Sequence, residues 1–226
     1  MTTAQLAGMI DHTALKPDVT RDQIVQLCME AIQFRFGAVC VAPAWVELVR
    51  ETLVNRSVRI ATVIGFPHGN TLSAVKAFEA MQAIERGAHE LDMVIAVGGL
   101  KSGDRNAVIH DIRSVVEAAR TRHGTLVKVI LETALLTDAE KVLACQLSEL
   151  AGANFVKTST GFADGGATLD DVALLRRTVG NRLGVKAAGG IKNLSTALAM
   201  IEAGANRLGC SSSVSIMKEF SAENES

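Results

Sequence analysis

The chain has 226 residues, 48% of them hydrophobic, and a formal net charge of −1. That is enough apolar side chain for a sizeable core, which excludes a disordered chain, and the near-neutral balance gives no global bias toward nucleic acid or an acidic membrane. No stretch is long and apolar enough to span a bilayer, and Met1-Thr2-Thr3-Ala4-Gln5-Leu6 lacks the basic start and apolar centre of a signal peptide, so the expected compartment is the cytoplasm.

Short apolar runs alternate with longer amphipathic stretches along the chain. The first strand is expected at 8–13. A helix follows at 20–34, where Thr20 can cap the end and Ile24, Leu27, Cys28 and Ala31 form one stripe. Strand 37–41 leads to helix 44–53. Strand 58–64 leads to helix 71–85, with an apolar stripe at Ala74, Ala77, Phe78 and Met81. Strand 90–96 precedes helix 104–120, and strand 126–131 precedes helix 138–150. The alternation then repeats as strand 154–158, helix 169–178, strand 183–188, helix 194–202, strand 205–209 and helix 212–220. Residues 221–226 read as a frayed polar tail.

Gly-Ala pairs recur before strands, at Gly37-Ala38, Gly87-Ala88, Gly152-Ala153 and Gly204-Ala205. Each glycine is expected to cap a helix C-terminus, and their spacing marks a repeated strand-helix unit. Eight such units predict an α/β fold, a single (β/α)8 barrel spanning 1–226. A doubly wound open sheet is the alternative. It usually carries a glycine-rich turn after the first strand, whereas Leu15-Lys16-Pro17-Asp18 stands there. Cys28, Cys40, Cys145 and Cys210 are widely spaced and form no Cys-x-x-Cys pair. They read as reduced thiols rather than a disulfide frame or zinc site. Only Cys40 and Cys210 fall near strand ends.

Barrel active sites lie at the C-terminal ends of the strands. Polar residues embedded in strands are therefore the suspects, and they are Asp11, Asp92, Lys128, Lys157 and Lys186. Lysine is rarely buried without a partner or a function. Side chains alternate between the two faces of a strand, so strands four to seven can present Asp92, Lys128, Lys157 and Lys186 to one pocket. The bland alternative is that lysines snorkel outward along helix surfaces. It is weakest for Lys157 and Lys186, each set among small or apolar residues and followed closely by glycine. Two ammonium groups about 4 Å apart at an effective dielectric near 20 repel by about 4 kcal/mol, enough to bring one lysine from about 10.4 to about 7.5. One charged lysine and one neutral nucleophile are the expected pair.

A phosphate cradle is the second constellation. Gly189-Gly190-Ile191-Lys192 follows strand seven, and Gly209-Cys210-Ser211-Ser212-Ser213 follows strand eight. Loops there, with a helix N-terminus, form the usual phosphate site of such barrels. Thr160-Gly161 after strand six can complete the rim. Plain turns and N-caps are the alternative. The five histidines show no metal-ligand spacing, and Ser159 lacks a Gly-x-Ser-x-Gly context.

Ile10-Asp11-His12-Thr13, Glu90-Leu91-Asp92-Met93-Val94, Val127-Lys128-Val129-Ile130-Leu131-Glu132-Thr133, Phe155-Val156-Lys157-Thr158-Ser159-Thr160-Gly161 and Val185-Lys186-Ala187-Ala188-Gly189-Gly190-Ile191 together resemble the deoxyribose-phosphate aldolase family. The match runs from about Ile10 to Ser213. The resemblance implies a class I aldolase that interconverts 2-deoxy-D-ribose 5-phosphate with D-glyceraldehyde 3-phosphate and acetaldehyde, without metal or organic cofactor. It puts the Schiff-base lysine on Lys157, the second lysine on Lys186 and the proton-relay aspartate on Asp92. It puts phosphate-binding backbone on Gly161, Gly189, Gly190, Gly209 and Ser211, and aldehyde contacts on Asp11, Thr13 and Cys40. The expected partners are a sugar phosphate and aldehydes, with no nucleic acid and no membrane. Barrels of this kind often form homodimers through their helices, but no patch for that stands out. The rivals are a sugar-phosphate isomerase, an aldolase for another donor, and a non-catalytic barrel that binds a phosphorylated metabolite.

Overall fold

A computed structural model describes residues 1–54 and 57–224. Parallel strands β1 (Ile10–Ala14), β2 (Ala38–Val41), β3 (Arg59–Ile64), β4 (Glu90–Val94), β5 (Leu126–Ile130), β6 (Phe155–Lys157), β7 (Gly184–Ala188) and β8 (Arg207–Cys210) close into a barrel in sequence order. The outer ring is α2 (Arg21–Phe34), α3 (Val46–Thr52), α4 (Ser73–Arg86), α6 (Arg105–Ala119), α7 (Asp138–Ala151), α8 (Leu169–Val179), α9 (Leu194–Glu202) and α10 (Ser213–Asn224). Two short helices, α1 (Thr3–Gly8) and α5 (Val97–Lys101), were not expected from the sequence. Each is about one or two turns long, too short to show a hydrophobic period.

Local chemistry starts and stops the helices where the sequence suggested. Thr20 and Gln23 form a capping box on α2, and Thr137 and Glu140 form one on α7. Gly87, Gly152 and Gly204 follow α4, α7 and α9 with positive φ, as expected of C-terminal caps. Gly37 does not. The cap of α2 is Arg35, at φ 57°, and Gly37 is glycine because an added Cβ would lie 2.3 Å from the Gly8 carbonyl oxygen. The tail also differs from expectation, since α10 runs on to Asn224; residues 225 and 226 lie outside the described residues.

The face of α4 differs too. Lys76, Ala80, Ala83 and Ile84 are its buried residues, whereas Phe78 is 60% exposed and Met81 39%. A buried ion pair explains the rotation. Lys76 Nζ donates to Asp111 Oδ2 at 2.6 Å and to the Val94 carbonyl at 2.8 Å, so a lysine occupies an inward position and the aromatic ring is displaced to the surface.

Between barrel and helices lies a continuous aliphatic core. The barrel interior is different. On β2 and β3 it is filled by the small apolar Ala38, Cys40, Ala61 and Val63. Toward β4, β5, β7 and β8 it is filled by charge, and Asp11, Glu90, Asp92, Lys128 and Lys186 are each fully buried. Interiors of this fold are usually packed with branched aliphatics. Charges survive burial only when paired, so this filling needs a chemical reason.

Candidate active site

Register sets the arrangement. Asp92 on β4 lies beside Lys128 on β5, Lys157 on β6 beside Lys186 on β7, and Asp11 on β1 beside Gly209 on β8. Asp92 is the hub. Its Oδ1 accepts from Lys128 Nζ at 2.7 Å, and its Oδ2 accepts from Lys186 Nζ at 2.7 Å and Lys157 Nζ at 3.0 Å. Lys186 also donates to Asp11 Oδ2. Below this layer, Lys128 meets Glu90 at 2.7 Å and Asp11 at 3.6 Å. Arg207 Nε donates to Asp11 Oδ1 at 2.9 Å, and its Nη2 to Glu90 Oε2 at 2.8 Å.

The three lysines are therefore not equivalent. Burial pushes the Lys157 ammonium below its ordinary pKa; Asp92 opposes this and Lys186 adds to it. Burial pushes on Lys186 as well, but Asp11 and Asp92 together more than reverse it, so Lys186 titrates above the usual lysine range. Lys128 is likewise raised, by Asp92, Asp11 and Glu90 against burial and Lys186. Burial would raise the Asp92 carboxyl, but Lys128, Lys157 and Lys186 outweigh it and hold Asp92 well below the usual carboxylate range. The sequence led us to expect one charged lysine and one neutral nucleophile; here Lys157 is lowered while both Lys186 and Lys128 are raised. For Lys157 burial is the main cause, and the repulsion from Lys186 adds to it.

Lys157 stands at the floor of a cavity of about 450 Å³ at the C-terminal end of the barrel. Of the residues singled out in the sequence, Thr13, Thr160, Gly161, Gly189, Gly190, Ile191, Lys192, Gly209 and Ser211 line it with Lys157. Asp11, Cys40, Asp92, Lys128 and Lys186 are buried beneath or beside it and are not in its wall. Ser212 is not in the wall either; its carbonyl accepts from Ile216 N in the first turn of α10. A larger hollow, about 640 Å³, lies outside the barrel against α4, between Pro43 and Arg86, and contains none of these lysines.

The rim suits an anion. Gly161, Gly189 and Gly190 have φ of +84°, +89° and +80°, which leaves backbone amides unobstructed by side chains. Lys192 and Lys16 stand at the same mouth. The Thr160 hydroxyl is committed elsewhere: it donates to Glu132 Oε2 and accepts from Phe162 N at 3.1 Å. Gly209 does more than open the rim. An added Cβ would lie 3.0 Å from Lys186 Cε and 3.1 Å from Ala188 Cβ, so the glycine makes room for the second lysine.

Sequence reasoning missed Glu90, Arg207 and Lys16. Period-two alternation could have found Glu90, two residues before Asp92 on the same face, and Arg207, two before Gly209. Lys16 sits in a loop judged only for its lack of glycine. His12 is buried, with Nε2 2.8 Å from Glu30 and Nδ1 3.0 Å from Ser213, and it does not line the cavity. Among the described residues no three His, Cys, Asp or Glu side chains are grouped to hold a metal ion.

Comparison with known proteins identifies the family and the fold. The family model described as DeoC/LacD family aldolase matches residues 6–217. Deoxyribose-phosphate aldolase 1 of Bacillus licheniformis is 55% identical over 223 residues, 99% of each chain. The deoxyribose-phosphate aldolase of Streptococcus gordonii is 57% identical over 214 residues, 95% of this chain and 96% of that one. Among solved structures, the tetrameric deoxyribose phosphate aldolase of Aeropyrum pernix superposes with a TM-score of 0.91 at 34% identity, covering 98% of this chain and 93% of that one. A closed barrel with a lysine-floored cavity and these whole-length matches place the chain in the DeoC/LacD family of aldolases, alongside its deoxyribose-phosphate aldolases.

Proposed function

We propose that the protein is a class I, metal-independent aldolase that reversibly cleaves 2-deoxy-D-ribose 5-phosphate to D-glyceraldehyde 3-phosphate and acetaldehyde. The observation that carries the imine chemistry is that Lys157, alone among the three lysines held by Asp92, both reaches the cavity wall and is pushed below its ordinary pKa.

Neutral Lys157 adds to C1 of the open-chain sugar, and loss of water gives an iminium, the electron sink. Asp92, through water or with Lys186, takes the proton of the C3 hydroxyl. The C2–C3 bond breaks, its electron pair enters the iminium as an enamine, and glyceraldehyde 3-phosphate leaves. Protonation of the enamine carbon and hydrolysis release acetaldehyde and restore the amine. Backbone amides at Gly161, Gly189, Gly190 and Ser211 hold the phosphate, with Lys192 at the same mouth, and binding energy there serves a bond that breaks elsewhere. Thr13 borders the aldehyde end. Cys40, a neutral thiol kept protonated by burial, packs beside the lysines.

The test is release of acetaldehyde equimolar with glyceraldehyde 3-phosphate, unchanged by a chelator. Binding of deoxyribose 5-phosphate with no acetaldehyde release would instead support the silent metabolite-binding barrel. Gly209→Ala is expected to lower kcat/KM by roughly 10- to 100-fold, because misplacing a proton-handling group by about 1 Å costs on that scale. Steady-state kinetics matching the unsubstituted protein would show that Lys186 does not depend on that space.

We also propose a cytoplasmic homodimer. All four cysteines are free and buried, as suits a reducing compartment, and Leu72, Val75, Phe78 and Met81 leave apolar surface along α4. Light scattering is expected to give twice the chain mass, and Phe78→Asp to reduce it to one. A single-chain mass before substitution would contradict this.

A further inference from the structure

Four basic groups, Lys128, Lys157, Lys186 and Arg207, share three carboxylates, Asp11, Glu90 and Asp92, inside the barrel. With every group charged, one positive charge is left over among these largely buried side chains. Arg59 also approaches Glu90, at 3.9 Å, but it is half-exposed and screened by solvent. The surplus is relieved when one amine is neutral. A guanidinium cannot be that group. Lys128 meets three carboxylates and Lys186 two. Lys157 meets only Asp92, at the longest of that residue's three ammonium contacts, and on the oxygen that Lys186 also occupies. The geometry alone makes Lys157 the least compensated.

We propose that Arg207 and Glu90 are positioning residues that set this charge count from the closed end of the barrel, and so decide that the amine left neutral is Lys157. Arg207 begins β8 and Glu90 begins β4, and neither lines the cavity. Arg207 occupies Asp11 and thereby limits the negative charge available to Lys186, which leans the more on Asp92. Glu90 occupies Lys128 and spares Asp92 part of that demand. The groups that reach Lys157 are Asp92 from β4, Lys186 from β7 and the Cys40 thiol from β2. Behind them stand Lys128 on β5, Asp11 on β1 and finally Arg207 and Glu90. The proposal extends the imine reading of Lys157, and its test separates the two.

The signs are opposite for the two residues. Arg207→Gln removes a positive charge, favours the ammonium form of Lys157 and raises its pKa. Glu90→Gln removes a negative charge and lowers it. A unit charge at roughly 10 Å in an effective dielectric near 20 moves a pKa by about one pH unit. The measurement is trace acetylation of Lys157 by acetic anhydride across a pH series, read by peptide mass mapping, which reports the free amine whatever reaction the protein catalyses. The labelling midpoint is expected to rise by about one pH unit in Arg207→Gln, to fall by a similar amount in Glu90→Gln, and to return in Arg207→Lys, which keeps the charge. Midpoints that stay in place, or move the same way in both variants, overturn the proposal. Should Arg207→Gln fail to fold, Glu90→Gln decides alone: a fall supports the proposal and no movement overturns it. The acid limb of kcat/KM is followed in parallel. Labelling that shifts while activity does not follow would uphold the charge count and reject Lys157 as the nucleophile.

Discussion

Replacing Lys157 with leucine is expected to lower turnover of deoxyribose 5-phosphate by roughly 10⁴-fold or more, since removing the covalent nucleophile removes the pathway rather than slowing one step of it. The same substitution should leave the midpoint of unfolding unchanged or higher. Lys157 is an amine held against its preference for water, and Asp92 keeps Lys128 and Lys186 as partners without it. Exchanging a weakly compensated buried amine for an apolar side chain of similar volume is often neutral or stabilising. Steady-state kinetics and thermal unfolding on one preparation check both halves. Activity near that of the unsubstituted protein would reject the assignment. In the unsubstituted protein, kcat/KM should fall as pH drops through the depressed pKa of Lys157, because only the free amine adds to the carbonyl.

Asp92→Asn is expected to have the largest effect on stability. The amide keeps the shape of the carboxylate but removes the anion that contacts all three lysines. Breaking a buried ion network in this one-sided way costs about 3–5 kcal/mol, measurable by urea unfolding at neutral pH. Turnover should fall as well, by roughly 10²- to 10⁴-fold, for loss of the proton relay. The pH dependence has a definite sign. Asp11 and Asp92 are both held below the ordinary aspartate value of 3.8. Their contribution to stability is therefore complete above that value and is lost as pH falls from it toward the folded-state values. In the variant the lysines are under-compensated in the folded state and keep their ordinary pKa when unfolded, so raising the pH should recover part of the lost stability. A variant as stable as its parent at neutral pH would mean that Asp92 is not the keystone of the charge network.

The barrel was legible in the sequence because its units repeat. Each strand of three to six residues is followed by a helix, and the glycines after α4, α7 and α9 punctuate the count. What could not be read was the face of α4. Phe78 and Met81 form a plausible apolar stripe, and only the tertiary partner Asp111, 35 residues beyond Lys76, shows why a lysine takes the inside. The site was legible in part. Lys157 and Lys186 stood out because a lysine within an apolar strand conflicts with ordinary packing. Glu90 did not, because it sits at the first residue of its strand, where a charge looks like a solvated end; Arg207 lay inside the expected strand 205–209 and was passed over, and its role shows only in its partners Asp11 and Glu90 on other strands. Gly209 read as a phosphate-loop glycine; its second task, making room for Lys186, depends on a neighbour on another strand. The partners of Asp11 lie 175 and 196 residues away, a distance no local pattern encodes.

The measurement that tests the central claim most directly is borohydride reduction in the presence of acetaldehyde, followed by peptide mass mapping. The account predicts an ethyl group on Lys157 and on no other barrel lysine. An ethyl group on Lys186 instead, or no mark on either lysine in folded protein, would contradict it.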